Sequence, residues 1–224
     1  MEQFLAQAVS TAVKLGIVGV PTDQGALANY VTLPATDPKS FGNHIYVWET
    51  TDNIVPWSKT PDGDTAIDSS SSTSTQLVKF AFEEKGYIMG YAVAATPQAV
   101  CATVYMPVGK QTDPTAWEYA SMQLGVPYVG TNLVQVQYTG LPQYLPATNK
   151  NWIGLWQGPQ VPYSGDPIAK VSITKDAPPS GYTTIQGIKL LIGLSYSVGY
   201  FMVDPVKGRT SLAASANFTI GAHT

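Results

Sequence analysis

One short stretch occurs twice in this 224-residue chain, and it limits the fold more than any other feature. Asn43-His44-Ile45-Tyr46-Val47-Trp48 returns as Asn151-Trp152-Ile153-Gly154-Leu155-Trp156, with the closing tryptophans, Trp48 and Trp156, 108 positions apart. Val55-Pro56-Trp57 matches Val161-Pro162-Tyr163, and Gly63-Asp64 matches Gly165-Asp166. Tyr87-Ile88-Met89-Gly90-Tyr91 matches Tyr196-Ser197-Val198-Gly199-Tyr200, and Cys101-Ala102-Thr103-Val104-Tyr105 matches Ala214-Ser215-Ala216-Asn217-Phe218. Upstream, Leu33-Pro34-Ala35-Thr36 pairs with Leu145-Pro146-Ala147-Thr148, and Lys14-Leu15-Gly16 with Gln123-Leu124-Gly125. The order never breaks, which is the mark of an internal repeat. Two units follow, residues 1–110 and 111–224, each of a size that can bury its own core.

The repeated segments read as strands. Ile45, Val47 and Glu49 alternate with His44, Tyr46 and Trp48, and the copy alternates in the same way. Both faces are largely apolar, as in a central strand, and Trp48 and Trp156 are core residues by size. Further strands are expected at residues 28–33, 77–82, 87–93 and 99–108, and at 133–138, 184–191, 196–203 and 211–220. Pro34 and Pro146 end the runs before them, because proline cannot donate to a ladder. Residues 60–76, rich in Asp, Ser and Thr, read as a loop, and Asp204-Pro205 with Lys207-Gly208 as a turn.

Each unit is expected to open on a short helix. Leu5, Ala8, Val9, Ala12 and Val13 fall on one face of a helix over residues 2–15, stopped by Gly16. In the second unit Asp113 caps, Pro114 starts and Gly125 ends a helix carrying Trp117, Ala120 and Leu124 on its apolar face. The fold class is therefore mainly all-β: two tandem β-sandwich units, each preceded by a short helix.

The Trp152-Ile153-Gly154-Leu155-Trp156 strand is followed by a tyrosine-bearing strand and a closing Ala214-Ser215-Ala216-Asn217-Phe218-Thr219-Ile220 strand. This order resembles immunoglobulin-like sandwich modules across Trp152 to Ile220. The first half matches less closely, with Tyr46 where the motif has glycine. The resemblance implies fold, and such modules serve many roles.

Charge narrows the function. Charged residues make up 12% and the net charge is −3, against about 25% charged in ordinary soluble domains. The basic residues never cluster into the stripe a nucleic-acid surface needs. A surface of Ser, Thr, Gln, Asn and Tyr repels copies weakly and favours their contact. The single cysteine, Cys101, lies in an expected strand and reads as a small buried hydrophobe. With one cysteine, an intrachain disulfide framework is excluded.

Glu2 and the polar interruptions Gln7, Ser10, Thr11 and Lys14 do not fit a cleaved signal peptide. The expectation is cytoplasmic synthesis without a cleaved signal, export by a non-classical route being compatible with it. No apolar run is long enough for a spanning helix.

No catalytic set assembles from the motifs. His44 has Trp152 in its place in the copy, His223 lies in the tail, and no second ligand completes a zinc set. No nucleophile elbow or phosphate loop is present. Asp62, Asp64 and Asp68 share a loop of the oxygen-rich kind that holds calcium, but their spacing fits no calcium loop and the copy keeps only Asp166. No cofactor, metal or catalytic residue is expected, and the chain is not expected to be an enzyme.

The candidate binding residues are Trp57 and Tyr163, on equivalent turns, with Asp64 and Asp166 as neighbouring acceptors. Turn aromatics stack on sugars or anchor a protein partner. The leading function is a non-enzymatic structural or interaction protein that self-associates into an oligomer or larger assembly. The alternatives are a lectin-like glycan-binding protein using those four residues and a membrane-active toxin whose first helix inserts.

Overall fold

A computed structural model describes residues 8–204 and 209–221. Its strands are β1 (Val9–Ala12), β2 (Lys14–Thr22), β3 (Gly25–Val31), β4 (His44–Glu49), β5 (Gly63–Ala66), β6 (Thr73–Val78), β7 (Tyr87–Ala92) and β8 (Val100–Met106). A second set follows: β9 (Glu118–Ser121), β10 (Gln123–Val129), β11 (Leu133–Thr139), β12 (Trp152–Gln157), β13 (Ala169–Ser172), β14 (Gly181–Gln186), β15 (Ser195–Phe201) and β16 (Leu212–Thr219). They form two five-stranded and two three-stranded sheets in an all-β, immunoglobulin-like sandwich fold.

The chain divides into two compact units. The first comprises Val13–Ser121 with Leu141–Tyr144 and holds the sheets β5-β4-β7-β8-β9 and β2-β3-β6. The second comprises Met1–Ala12, Met122–Gly140 and Leu145–Thr224 and holds β1-β16-β15-β12-β13 and β10-β11-β14. Thus β1 completes a sheet of the second unit although β2, one residue later, lies in the first. β9 likewise completes a sheet of the first unit and is followed by β10 in the second.

The expected opening helices are absent from the described residues. Val9–Ala12 and Lys14–Thr22 form β1 and β2, while the start of the 2–15 span lies outside the described residues. In the second half only Pro114–Ala116 forms a single 3-10 turn, with Asp113 accepting from the Thr115 amide at 3.2 Å, before β9 and β10 begin. The apolar spacing has a strand explanation. Leu15 is buried between exposed Lys14 and half-buried Gly16, and Leu124 and Val126 alternate with Gln123 and Gly125. Backbone pairing of Leu15 with Tyr30 and Leu124 with Tyr138 overrides the weaker helical period. The 60–76 segment likewise contains β5 and the start of β6, edge strands whose polar side chains hide their pairing from a hydrophobic reading.

β4 and β12 are central, as expected, and each is buried over nearly its whole length. Between the two sheets of the first unit Tyr30 meets Tyr91 with ring centroids 5.2 Å apart, and in the second Tyr138 meets Tyr200 at 5.7 Å. A buried asparagine ties each core. Asn43 donates from Nδ2 to the Tyr91 hydroxyl at 2.9 Å, and Asn151 donates to the Tyr200 hydroxyl at the same distance. The backbone amide of Asn43 donates to the Pro38 carbonyl (2.9 Å) and that of Asn151 to the Pro146 carbonyl (2.8 Å).

Those bonds correct part of the sequence alignment. Pro38 is the partner of Pro146, so the shared Leu-Pro-Ala-Thr quartets at residues 33–36 and 145–148 do not occupy equivalent places. The closing strands also shift by one. Ala102 lies opposite Tyr91 and Ala214 opposite Tyr200, which sets Cys101 against Ala213.

Candidate functional site

Trp57 follows β4 on the β4–β5 connection, where Pro56 stiffens the turn. Its indole is half-buried, and Nε1 donates to the Pro142 carbonyl at 3.0 Å. The ring lies 4.9 Å from Tyr144, whose hydroxyl donates to the Gln98 carbonyl at 2.8 Å. The ring is therefore part of the packing of the segment Leu141–Tyr144. The N–H a sugar hydroxyl would accept from is already engaged. Tyr163 is half-buried on the matching turn after Val161 and Pro162.

Asp64 is exposed on β5, directly opposite Tyr46 of β4. Asp166 is paired with Arg209, which also donates to the Gly165 carbonyl at 2.7 Å. Trp57 and Asp64 thus have different neighbours, and in the second unit Arg209 holds both Asp166 and the Gly165 carbonyl beside it.

Asp62, just before β5, is also committed elsewhere. Asp62 pairs with Lys59 at 2.7 Å and accepts from the Glu49 amide at 2.8 Å. These donors hold its carboxyl below the usual range despite a desolvation cost that works the other way. The Asp68 amide donates to Gln76 Oε1 at 3.2 Å. Among the described residues no group of three His, Cys, Asp or Glu converges in a way that could hold a metal ion. His44 donates from Nδ1 to the Gly42 carbonyl at 2.9 Å and stacks on Tyr46. Cys101 is fully enclosed, and burial pushes its thiol far up, so it stays protonated. His223 lies outside the described residues.

Tyr46 carries a testable consequence. Burial first, and the Asp64 carboxylate second, push its phenol up to about 12 from 10.0. The stability gained by keeping it neutral is complete below pH 10 and is lost as pH rises from 10 towards 12, because the unfolded chain ionises first. Tyr46→Phe is expected to move the alkaline unfolding transition to higher pH, read by circular dichroism against the tyrosinate absorbance. An unmoved transition would mean that Tyr46 ionises as freely in the folded chain.

A different surface stands out on the β2-β3-β6 sheet. Val18, Leu27 and Leu77 are 48, 39 and 47% exposed. Val18 lies directly opposite Leu27, and Leu27 opposite Leu77, so the three side chains form one row on the outer face. Val31, 41% exposed, lies on the same face four residues along β3. The residues between them on β3, Ala26, Ala28 and Tyr30, point into the core. The matching row of the other three-stranded sheet is Tyr128, Gln135 and Thr184. Single exposed apolar residues are ordinary, while a contiguous row is informative. Sequence reading missed it because Leu27 and Leu77 are ordinary strand residues until the register shows which face they take. The out-of-phase leucine in Ala26-Leu27-Ala28-Asn29-Tyr30 was the available signal.

No family model matches this sequence, and no curated protein matches it. Among solved structures, it is similar to a segment of two fibronectin type III domains from chicken tenascin. That likeness has 12% identity and a TM-score of 0.27, covering 88% of this chain and 94% of that one. A second likeness is to Salmonella alpha-2-macroglobulin reacted with methylamine, at 8% identity and a TM-score of 0.28. It covers 98% of this chain and 17% of the macroglobulin. Neither TM-score carries an argument about function, and the fold class stands on the strand pairing itself.

Proposed function

We propose that this chain is a non-enzymatic structural or interaction protein that self-associates, and that the Val18–Leu27–Leu77 row is a contact between copies. The observation that carries the reading is the row itself, an apolar outer face on a chain with 12% charged residues and a net charge of only −3. Like-charge repulsion between copies is weak on such a surface, and covering half-exposed leucines is favourable.

The polar counterpart supplies a mild test. Leu27→Gln with Leu77→Thr copies the residues found at Gln135 and Thr184. Each leucine is worth about 1 kcal/mol of recovered burial, so the pair should weaken association on the order of thirtyfold. Light scattering across a concentration series measures it, with thermal unfolding unchanged because the side chains face outward. A wild-type chain that stays monomeric at every concentration removes the reading. An unchanged association constant in the double variant removes the row from it.

A further inference from the structure

The first strands of the two strand sets make the same kind of bond. β9 pairs with β8 from Ala102↔Ser121 to Tyr105↔Glu118, and β1 pairs with β16 from Val9↔Asn217 to Ala12↔Ala214. In both cases an opening strand lies antiparallel on a closing strand. The connection differs. Residues 107–117 join β8 to β9 as a local link, whereas β1 and β16 sit at opposite ends of the described chain.

The junction after β1 forces it outward. Only Val13, completely buried, separates β1 from β2. One residue cannot form a hairpin, so the chain runs on extended and β1 pairs away from the sheet that holds β2. Met122, also completely buried, plays the same part between β9 and β10.

β1 is held lightly. Val9, Ser10 and Thr11 are exposed, and Ser10 Oγ donates to the Leu124 carbonyl at 2.5 Å. Most of its attachment is backbone pairing, which any copy of the same four residues reproduces.

We propose that a second copy of this chain donates its β1 to β16, joining copies head to tail. The ladder between chains is then the one that β9 and β8 already make within a chain. Closed and open forms share their hydrogen bonds, so concentration selects between them, as in domain swapping. The contact is heterologous, β1 of one copy meeting β16 of the next, and it extends into an array when it does not close. This goes beyond the apolar row, since it uses a sheet edge rather than a sheet face.

Thr11 and Ser215 are direct partners on this ladder and neither is buried, so they suit a disulfide trap. Full-length chains carrying Thr11→Cys alone and Ser215→Cys alone are mixed and oxidised across a concentration series. The expected result is a disulfide-linked peptide joining positions 11 and 215 of the two chains, identified by mass spectrometry and increasing with concentration. A Thr11→Cys/Ser215→Cys chain should link within itself when dilute and form a covalent ladder when concentrated.

The proposal is overturned if the mixed chains never link and the double variant links only within itself at every concentration. A double variant that links in neither way overturns the β1–β16 register on which the proposal rests. The same trap in chains also carrying Leu27→Gln and Leu77→Thr should still form. Strand donation and contact through the apolar row are thereby tested apart.

Discussion

Trp48→Ala is expected to lower stability by about 3–5 kcal/mol, the cost of removing a fully buried large aromatic. The side chain is 0% exposed on β4, an interior strand of the first unit's five-stranded sheet. Its ring lies 5.9 Å from Tyr46, and Nε1 donates to the Lys59 carbonyl at 3.1 Å. Truncation removes the buried area, opens a cavity beneath the β4–β5 connection and frees that carbonyl. Trp57→Ala is the internal comparison. That indole is half-buried and makes one backbone bond, so its loss should cost roughly 1 kcal/mol. Denaturant titrations of the three chains measure both. A Trp48→Ala chain no less stable than Trp57→Ala would contradict the central position of β4.

The central strands were legible because burial on both faces writes a continuous apolar signature. His44–Glu49 and Tyr87–Ala92 lie where the repeat placed them, and Leu133–Thr139, buried on one face only, lies where its alternation placed it. The edge strands were not legible. β5, with Gly63-Asp64-Thr65-Ala66, carries no apolar run, although it pairs with β4 along four residues. The opening strands were misread for a sharper reason. Leu5, Ala8, Val9, Ala12 and Val13 satisfy a helical period, while the described part is divided between two sheets at buried Val13. Helical spacing in a short segment cannot report a strand that changes sheet at its midpoint.

The candidate site was legible only as residue types. Trp57 and Tyr163 do occupy matching turns, but the Trp57 N–H is spent on Pro142 and Asp166 is spent on Arg209. Neither partner lies close in sequence. The apolar row was illegible for the converse reason: its members gain meaning only from lateral register, which places Leu27 opposite both Val18 and Leu77. A membrane-inserting helix loses its basis over the described residues, where Val9–Ala12 and Lys14–Thr22 are strand. No helix among them is long and apolar enough to cross a membrane.

Both central strands carry a row of three residues on one face, and the two rows solve the same space differently. In β4 the row is His44, Tyr46 and Trp48, with His44 and Tyr46 stacked at 5.7 Å. In β12 it is Trp152, Gly154 and Trp156, with the two indoles 6.3 Å apart and Trp152 stacked on Phe201 at 4.0 Å. A Cβ on Gly154 would lie 2.6 Å from Trp156 Cζ3 and 2.9 Å from Trp152 Cζ3, and closer still to Trp156 Cη2. The indoles occupy the volume that a tyrosine fills in β4. Gly154→Tyr is therefore expected to cost about 3 kcal/mol or more through overpacking, although glycine is otherwise a poor strand residue. Even Gly154→Ala should destabilise, where relief of glycine's chain entropy alone would stabilise by about 0.5–1 kcal/mol. Shrinking the neighbour makes room: in the Gly154→Tyr background, Trp152→His restores the His-Tyr-Trp row of β4. A double-mutant cycle measured by denaturant unfolding should show a favourable coupling of at least about 1 kcal/mol between the two changes. Additive costs would mean that the two rows are not alternative fillings of the same space, and that the glycine answers to a constraint other than the tryptophans beside it.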